Sequence, residues 1–312
     1  MKNSRPHVIV LGGFGFIGRH LVARLLKDGY AVTVFGHASH EAFAEQGEGR
    51  LRYCYGDFAN AAELESAVAG CDVVFHLIGN TVPQSSNENP RYDVDAHVGP
   101  TVTLLDVCVR CRVRQLIFAS SGGTVYGIPS HLPIEETHPT APISSYGIQK
   151  LTIENYMRLY NLIHGLGATV LRISNPYGPG QNIGRNQGII ATICSRITRG
   201  EGVDIWGDGE VVRDYIYIAD VVDAMERAVL RADSFQIYNV GTGIGTSINE
   251  ILGVFGAIGH SGFAVNYRKG RLVDIPVNIL NTVKFENAFD WKPKTSLRAG
   301  ILMTLESYME KK

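Results

Sequence analysis

Residues 8–18 read Val-Ile-Val-Leu-Gly-Gly-Phe-Gly-Phe-Ile-Gly. The first four form an unbroken apolar run, the pattern of a strand buried on both faces. Glycines follow at 12, 15 and 18, and from Ile17 to Asp28 the apolar residues recur at helical spacing. A strand, a glycine turn and a helix in that order bring free backbone N–H groups and the positive end of a helix dipole to one point, which suits a pyrophosphate. The bland alternative is a turn that needs glycine only for tight packing. Gly13 to Gly18 also has P-loop spacing, but Arg19 and His20 stand where Lys and Ser/Thr are required, which disfavours nucleoside triphosphate hydrolysis. We read the segment as a dinucleotide-binding turn, with Gly12, Gly15, Phe16, Ile17 and Gly18 on the cofactor.

Outward from this turn, short β-branched runs alternate with helical-period runs, the pattern of a parallel sheet with crossover helices. Strands are expected at 7–11, 31–35, 51–55, 73–77, 115–120 and 169–173, and helices at 17–28, 61–69, 101–112 and 146–164. Beyond Pro176 the pattern becomes irregular and rich in Gly and Pro. A strand at 215–218, a helix at 220–230 and a strand at 236–240 read as a return to the sheet. The expected fold is α/β: a doubly wound parallel (Rossmann) sheet with a smaller, discontinuous α/β substrate lobe. The boundaries read as 1–175 plus about 211–240 for the first domain, and 176–210 plus 241–312 for the second.

Composition narrows the function. The 312 residues hold 29 Lys plus Arg against 30 Asp plus Glu, so no overall field draws the chain to nucleic acid or anionic lipid. No apolar run reaches the ~18 residues that span a bilayer. The N-terminus imitates a signal peptide, but Arg19 and His20 interrupt it and no small-residue cleavage site follows, so the chain reads as cytoplasmic. Five scattered cysteines do not make a disulfide framework. Cys108 and Cys111 form one CxxC inside a helical-period stretch without a second ligand pair, so buried thiols are expected there and no metal. The 35 glycines cluster in particular places, which points to backbone-mediated ligand contacts.

An acid is expected roughly 20 residues after the glycine turn to bind the ribose of NAD. Here the second strand ends Phe35-Gly36-His37. Gly36 leaves room for a 2′-phosphate and His37 could partly neutralise one, so these residues leave NAD and NADP open. Asp57, followed by Phe58, is placed to meet the adenine edge, or to cap a helix, or both. Tyr146 and Lys150 stand four apart on the 146–164 helix and share a face. A free phenol has a pKa of ~10; a neighbouring ammonium and an oxidised nicotinamide favour the phenolate, which makes Tyr146 a candidate base. The hydroxyl-rich strand end 119–126 (Ala-Ser-Ser-Gly-Gly-Thr-Val-Tyr) lies just before them, at the carboxyl end of a strand where ligands sit. Ser121 and Thr124 are the candidates for orienting a substrate hydroxyl, and turn capping is their structural alternative; Ser120 is placed on the cofactor.

GGFGFIG, VFHLIG, SSGGTVYG, YGIQK, RISNPYGPG and GDGEVVRDYIYIADVVDA together resemble the extended short-chain dehydrogenase/reductase family, of the NAD-dependent epimerase/dehydratase type, in particular its nucleotide-sugar epimerases. The resemblance runs from Val8 to about Ile301. It implies a nicotinamide-binding lobe and a smaller lobe for a sugar nucleotide. It makes Tyr146 the base and Lys150 its partner on the nicotinamide ribose, and puts Leu77, Ile78 and Gly79 along the cofactor. Asn175 then contacts the substrate phosphates, and Arg213, Arg271 and Asp274 grip the diphosphate and nucleoside. A diphosphate does need fixed guanidinium groups. The implied cofactor is NAD, with NADP left open. The implied reaction is transient oxidation at the sugar C4, the proton going to Tyr146 and the hydride to bound NAD, with return to the other face.

The chain departs from the family pattern in three places. Gly122 stands where a hydroxyl is usual, His97 and Pro100 where Asn and Gly are usual, and Gly36 where the ribose-binding acid is usual. Related dehydratases and decarboxylases need an acid at 122 or 123, and both are glycine, so elimination is disfavoured. The rival readings are an NADPH-dependent reductase of a 4-keto-6-deoxy nucleotide sugar and a non-catalytic cofactor-binding protein; the latter is disfavoured by retention of Tyr146 and Lys150. The helices at 101–112 and 146–164 carry more apolar positions than one buried face needs, and the resemblance implies a homodimer packed through them.

Overall fold

The computed structural model describes residues 5–37, 49–79, 81, 86–182, 188–229, 234–260, 262–270 and 275–310. Strand β1 (His7–Leu11) leads through the glycine turn into α1 (Phe16–Lys27), followed by β2 (Ala31–Gly36), β3 (Leu51–Tyr55), α2 (Ala61–Val68) and β4 (Val73–His76). A short helical turn and a π-helical stretch, Val94–Val98, then enter α3 (Gly99–Arg110). Next come β5 (Gln115–Ser121), α4 (Ser145–His164) and β6 (Gly167–Ile173). The expected strands and helices of this half are all present, with ends within about two residues of those read from the pattern.

The seven-stranded sheet has the order β10-β6-β5-β4-β1-β2-β3, with β10 spanning Phe235–Val240. β1 pairs in parallel with β2 on one side and β4 on the other. The first three strands therefore step one way from β1 and the next three the other way, which is a doubly wound sheet with its switch point between β1 and β4. Val8, Ile9, Val10 and Leu11 are wholly buried, as are Val73, Val74 and Phe75 on β4. The unbroken apolar runs have the cause read for them: these strands are covered on both faces.

The described chain forms two compact units, 1–125 with 144–172 and 222–238, and 126–143 with 173–221 and 239–312. Residues 126–143 and 211–221 therefore lie in the second unit, a division different from the one drawn along the sequence. The strand expected at 215–218 does not return to the large sheet. It is β9 (Val212–Tyr217), central in a second sheet between β11 (Gly245–Ser247) and β13 (Val277–Asn278), and it also pairs with β7 (Asn175–Tyr177). The large sheet is closed beyond β6 by β10, which leaves β9 no position beside β6. Asp214, wholly buried on β9, accepts from Thr242 N (2.8 Å), Thr242 Oγ1 (2.7 Å) and Gly243 N (3.1 Å), which ties the strand to the turn after β10. Among the described residues no helix is long and apolar enough to cross a membrane.

Candidate active site

At the switch point the loops after β1 and β4 adjoin. A Cβ on Gly12 would stand 3.1 Å from the Ile78 N and Leu77 C atoms, and Gly12 itself has φ +81°. A Cβ on Gly18 would stand 2.3 Å from the Gly12 carbonyl oxygen, so the helix start can press on the turn only without a side chain. α1 starts at Gly15 with no side-chain cap and no acid in its first turn. Its N-terminal amides are thus left without a capping side chain among the described residues, which suits a pyrophosphate. These features fit a dinucleotide, held by Gly12, Gly15 and the α1 terminus with Leu77, Ile78 and Gly79 alongside.

α4 begins at the Ser144 cap, whose hydroxyl accepts from Gly147 N at 3.1 Å. Its first turn carries Tyr146, and the next turn places Lys150 on the same face. The Lys150 ammonium donates to the Ala119 carbonyl at the end of β5 (2.9 Å), and lies 4.6 Å from the centre of the Phe118 ring and 5.5 Å from that of Tyr146. A Cβ on Gly79 would be 3.9 Å from this ammonium, so the loop after β4 runs past it. Tyr146, Lys150, Gly79 and the end of β5 are thus brought together.

Electrostatics here departs from the sequence expectation. Burial pushes the Tyr146 phenol up to about 12, and the Asp93 carboxylate adds to the rise. Burial lowers Lys150 to about 8, against the raising influence of Glu154. Within the protein, then, desolvation is the first cause of both shifts, and it favours the neutral form of each group.

Several neighbours were not singled out by sequence reasoning. Asp93 is buried and accepts from Ser145 Oγ (2.6 Å), while its second oxygen has no partner among the described residues. Ser86 Oγ accepts from Tyr146 N (3.0 Å). His97, which the family pattern marks as a departure, is buried with neither ring nitrogen paired, and burial with the Lys150 charge takes it down to about 4. His76 bonds Thr101 Oγ1 (2.9 Å), and burial holds it well below its usual value. A carboxylate in an Asn-Pro-x-Tyr-Asp stretch just before α3 is a sequence signal that could have found Asp93.

The hydroxyl-bearing strand end divides. Ser120 is buried and donates to Glu154 (2.5 Å), itself paired with Arg172 at 2.6 Å. Its side chain is therefore engaged within the protein. The Thr124 hydroxyl is buried without a partner among the described residues, and its amide bonds the Ser121 carbonyl (3.2 Å).

At the far end of β2, the space beside Gly36 is filled. A Cβ there would stand 2.8 Å from a ring carbon of Phe14, so that ring occupies the direction in which a side chain would leave Gly36. His37 is exposed. Asp57 accepts from Ala59 N (3.0 Å), and Asn60, not Asp57, caps α2 by accepting from Ala62 N. Phe58 is buried against the His76 ring at 5.2 Å, a packing role. In the second unit Asn175 donates to the Asp214 carbonyl (3.2 Å), and Arg213 donates to the carbonyls of Val212 (2.9 Å) and Ile275 (2.6 Å). Arg271 and Asp274 lie outside the described residues. Cys108 is a buried free thiol and Cys111 a partly buried one.

The sequence model of the NAD dependent epimerase/dehydratase family matches residues 8–241. The chain belongs to this family. It is 33% identical over 301 residues to a putative UDP-glucose 4-epimerase of Methanocaldococcus jannaschii, covering 94% of this chain and 95% of that one. Its fold is similar to the crystal structure of UDP-glucose 4-epimerase from Thermotoga maritima with UDP-glucose, with a TM-score of 0.91, 33% identity, and 98% and 99% of the two chains covered. It is also similar to the Thermus thermophilus UDP-glucose 4-epimerase complex with NAD, with a TM-score of 0.87, 31% identity, and 97% and 98% covered. The family model's NAD dependence and the NAD in the Thermus thermophilus complex accord with the nicotinamide cofactor expected from the glycine turn.

Proposed function

We propose that this chain is a nucleotide-sugar 4-epimerase acting on a UDP-hexose or UDP-N-acetylhexosamine. The observation that carries the reading is the Lys150 ammonium, anchored on the Ala119 carbonyl beside both Tyr146 and Gly79. The relatives' activities and the lack of an acid at Gly122 and Gly123 support it further.

Tyr146 takes the proton of the sugar 4-hydroxyl and gives it back after the sugar has turned. NAD, held at Gly12, Gly15 and the α1 terminus, would supply reversible hydride acceptance at C4 with no net oxidation. Lys150 stabilises the phenolate and is held by Ala119 where it meets the nicotinamide ribose. Thr124 orients the 4-hydroxyl. We assign the substrate phosphates to Asn175 and Arg213. The exposed apolar residues of α4, Ile148, Tyr156, Leu159, Leu162 and Ile163, form the contact of a homodimer.

The test is NMR of the purified protein incubated with UDP-glucose and UDP-N-acetylglucosamine, with no cofactor added. Catalytic appearance of a 4-epimer is expected. No change, together with NADPH consumption when a 4-keto-6-deoxy nucleotide sugar is supplied, would replace this reading with a reductase.

A further inference from the structure

A carboxylate at the end of the second strand is the usual reader of the cofactor ribose: it bonds the 2′-hydroxyl and repels a 2′-phosphate. This chain has Gly36 at that position, and the direction in which a side chain would leave Gly36 is blocked. The built Cβ lies 2.8 and 3.3 Å from two carbons of the Phe14 ring. Phe14 belongs to the glycine turn itself and is only 6% exposed. Its ring lies nearly parallel to those of Tyr53 (6.2 Å, 11°) and Tyr55 (6.0 Å, 8°), which alternate onto one face of β3. The main chain of Phe14 is fastened as well, since its carbonyl accepts from Arg19 Nε at 3.0 Å. The Phe14 ring therefore fills the direction a carboxylate at the end of β2 would take, with Tyr53 and Tyr55 stacked against it, and Tyr55 keeps about half of its surface exposed (48%).

We propose that Phe14 is the cofactor-selecting residue of this chain. Where an acid would select by charge, the Phe14 ring, backed by Tyr53 and Tyr55, selects by presenting an apolar wall to the ribose 2′ position. A neutral hydroxyl loses little against such a wall. The Phe14 ring offers a phosphate dianion no donor in exchange for the water it displaces, and that is unfavourable. Selection for NAD over NADP thus survives the loss of the acid, and Gly36 is required because the ring fills its side-chain space. The proposal rests on the dinucleotide reading of the glycine turn, but not on which sugar is turned over or whether one is.

The experiment is equilibrium binding of NAD⁺ and NADP⁺ to the full-length protein freed of copurified nucleotide, with unliganded thermal melting run beside it. The unaltered protein is expected to bind NAD⁺ at least about 10-fold more tightly. Phe14→Ala is expected to narrow the ratio to within about 3-fold, and Phe14→Leu, which keeps an apolar wall, to leave most of it. Gly36→Asp alone should weaken both nucleotides, since its Cβ meets the ring. Phe14→Ala with Gly36→Asp should restore a preference of about 10-fold or more, now by charge. Equal binding of both nucleotides by the unaltered protein would overturn the proposal. So would a Phe14→Ala protein that loses both affinities equally, the result of a purely packing role, or a Gly36→Asp protein that tightens on NAD⁺ with Phe14 in place. An absence of epimerase activity moves none of these ratios, so the two readings fail separately.

Discussion

Lys150 is 5% exposed, and burial takes its ammonium from the ordinary 10.5 to about 8. A pKa depressed on folding means that the folded state resists the proton, so the charge is a burden at every pH below about 8. That burden disappears between about 8 and 10.5, where the unfolded chain also loses the proton. Lys150→Met is therefore expected to stabilise the cofactor-free protein at pH 7 by about 2 kcal/mol, after the lost bond to Ala119 is allowed for. Calorimetric melting at pH 7 and pH 10 checks this: the gain should be present at the first and shrink at the second, while turnover collapses at both. A variant that melts lower at pH 7 would contradict it. Tyr146→Phe removes only the hydroxyl. Turnover is expected to fall about 10²–10⁴-fold with nucleotide-sugar affinity retained, measured by the NMR assay and by equilibrium binding.

Among the elements, β6 and α4 are joined through a fully buried ion pair. Arg172 contacts Glu154 at 2.6 Å with both side chains almost inaccessible, and Ser120 donates to the same carboxylate. Removing the guanidinium leaves an uncompensated charge in the core, so Arg172→Leu is expected to destabilise by about 3–5 kcal/mol. Adding Glu154→Leu should recover much of that loss in urea unfolding, because the pair's removal as a unit leaves no orphan charge. The opposite face of α4 carries the apolar stripe assigned to the dimer, with Leu162 80% exposed. Leu159→Asp with Leu162→Asp is expected to turn a sedimenting dimer into a monomer without lowering the helix content. A monomer already present before substitution would end the dimer proposal.

For the whole molecule, two buried histidines set the response to acid. His97 is held neutral to about 4 and His76 is held well below its ordinary value, both by burial first and then by the Lys150 charge. Their stability contribution is complete above the ordinary 6.5 and is lost as pH falls through the folded value, because the unfolded chain takes up protons first. For His97 the loss amounts to about 3 kcal/mol. The thermal midpoint should therefore fall steeply from pH 6.5 to 4, and less steeply in His97→Asn. The sequence alone was enough to determine what depends on neighbours along the chain. The strand, glycine turn and helix at 7–27 follow from their own spacing, and Tyr146 and Lys150 share a face because four residues make about one helical turn. The fully buried central strands were legible for a related reason, since burial on both faces leaves an apolar run. Only the tertiary structure decided which distant segments meet. It put β9 in a second sheet, because β10 holds the place beside β6; it set Phe14 against Gly36 and Asp93 near Tyr146; and it paired Glu154 with Arg172 across 18 residues. Such contacts are made by strand order and helix packing, and spacing along the chain carries no mark of them.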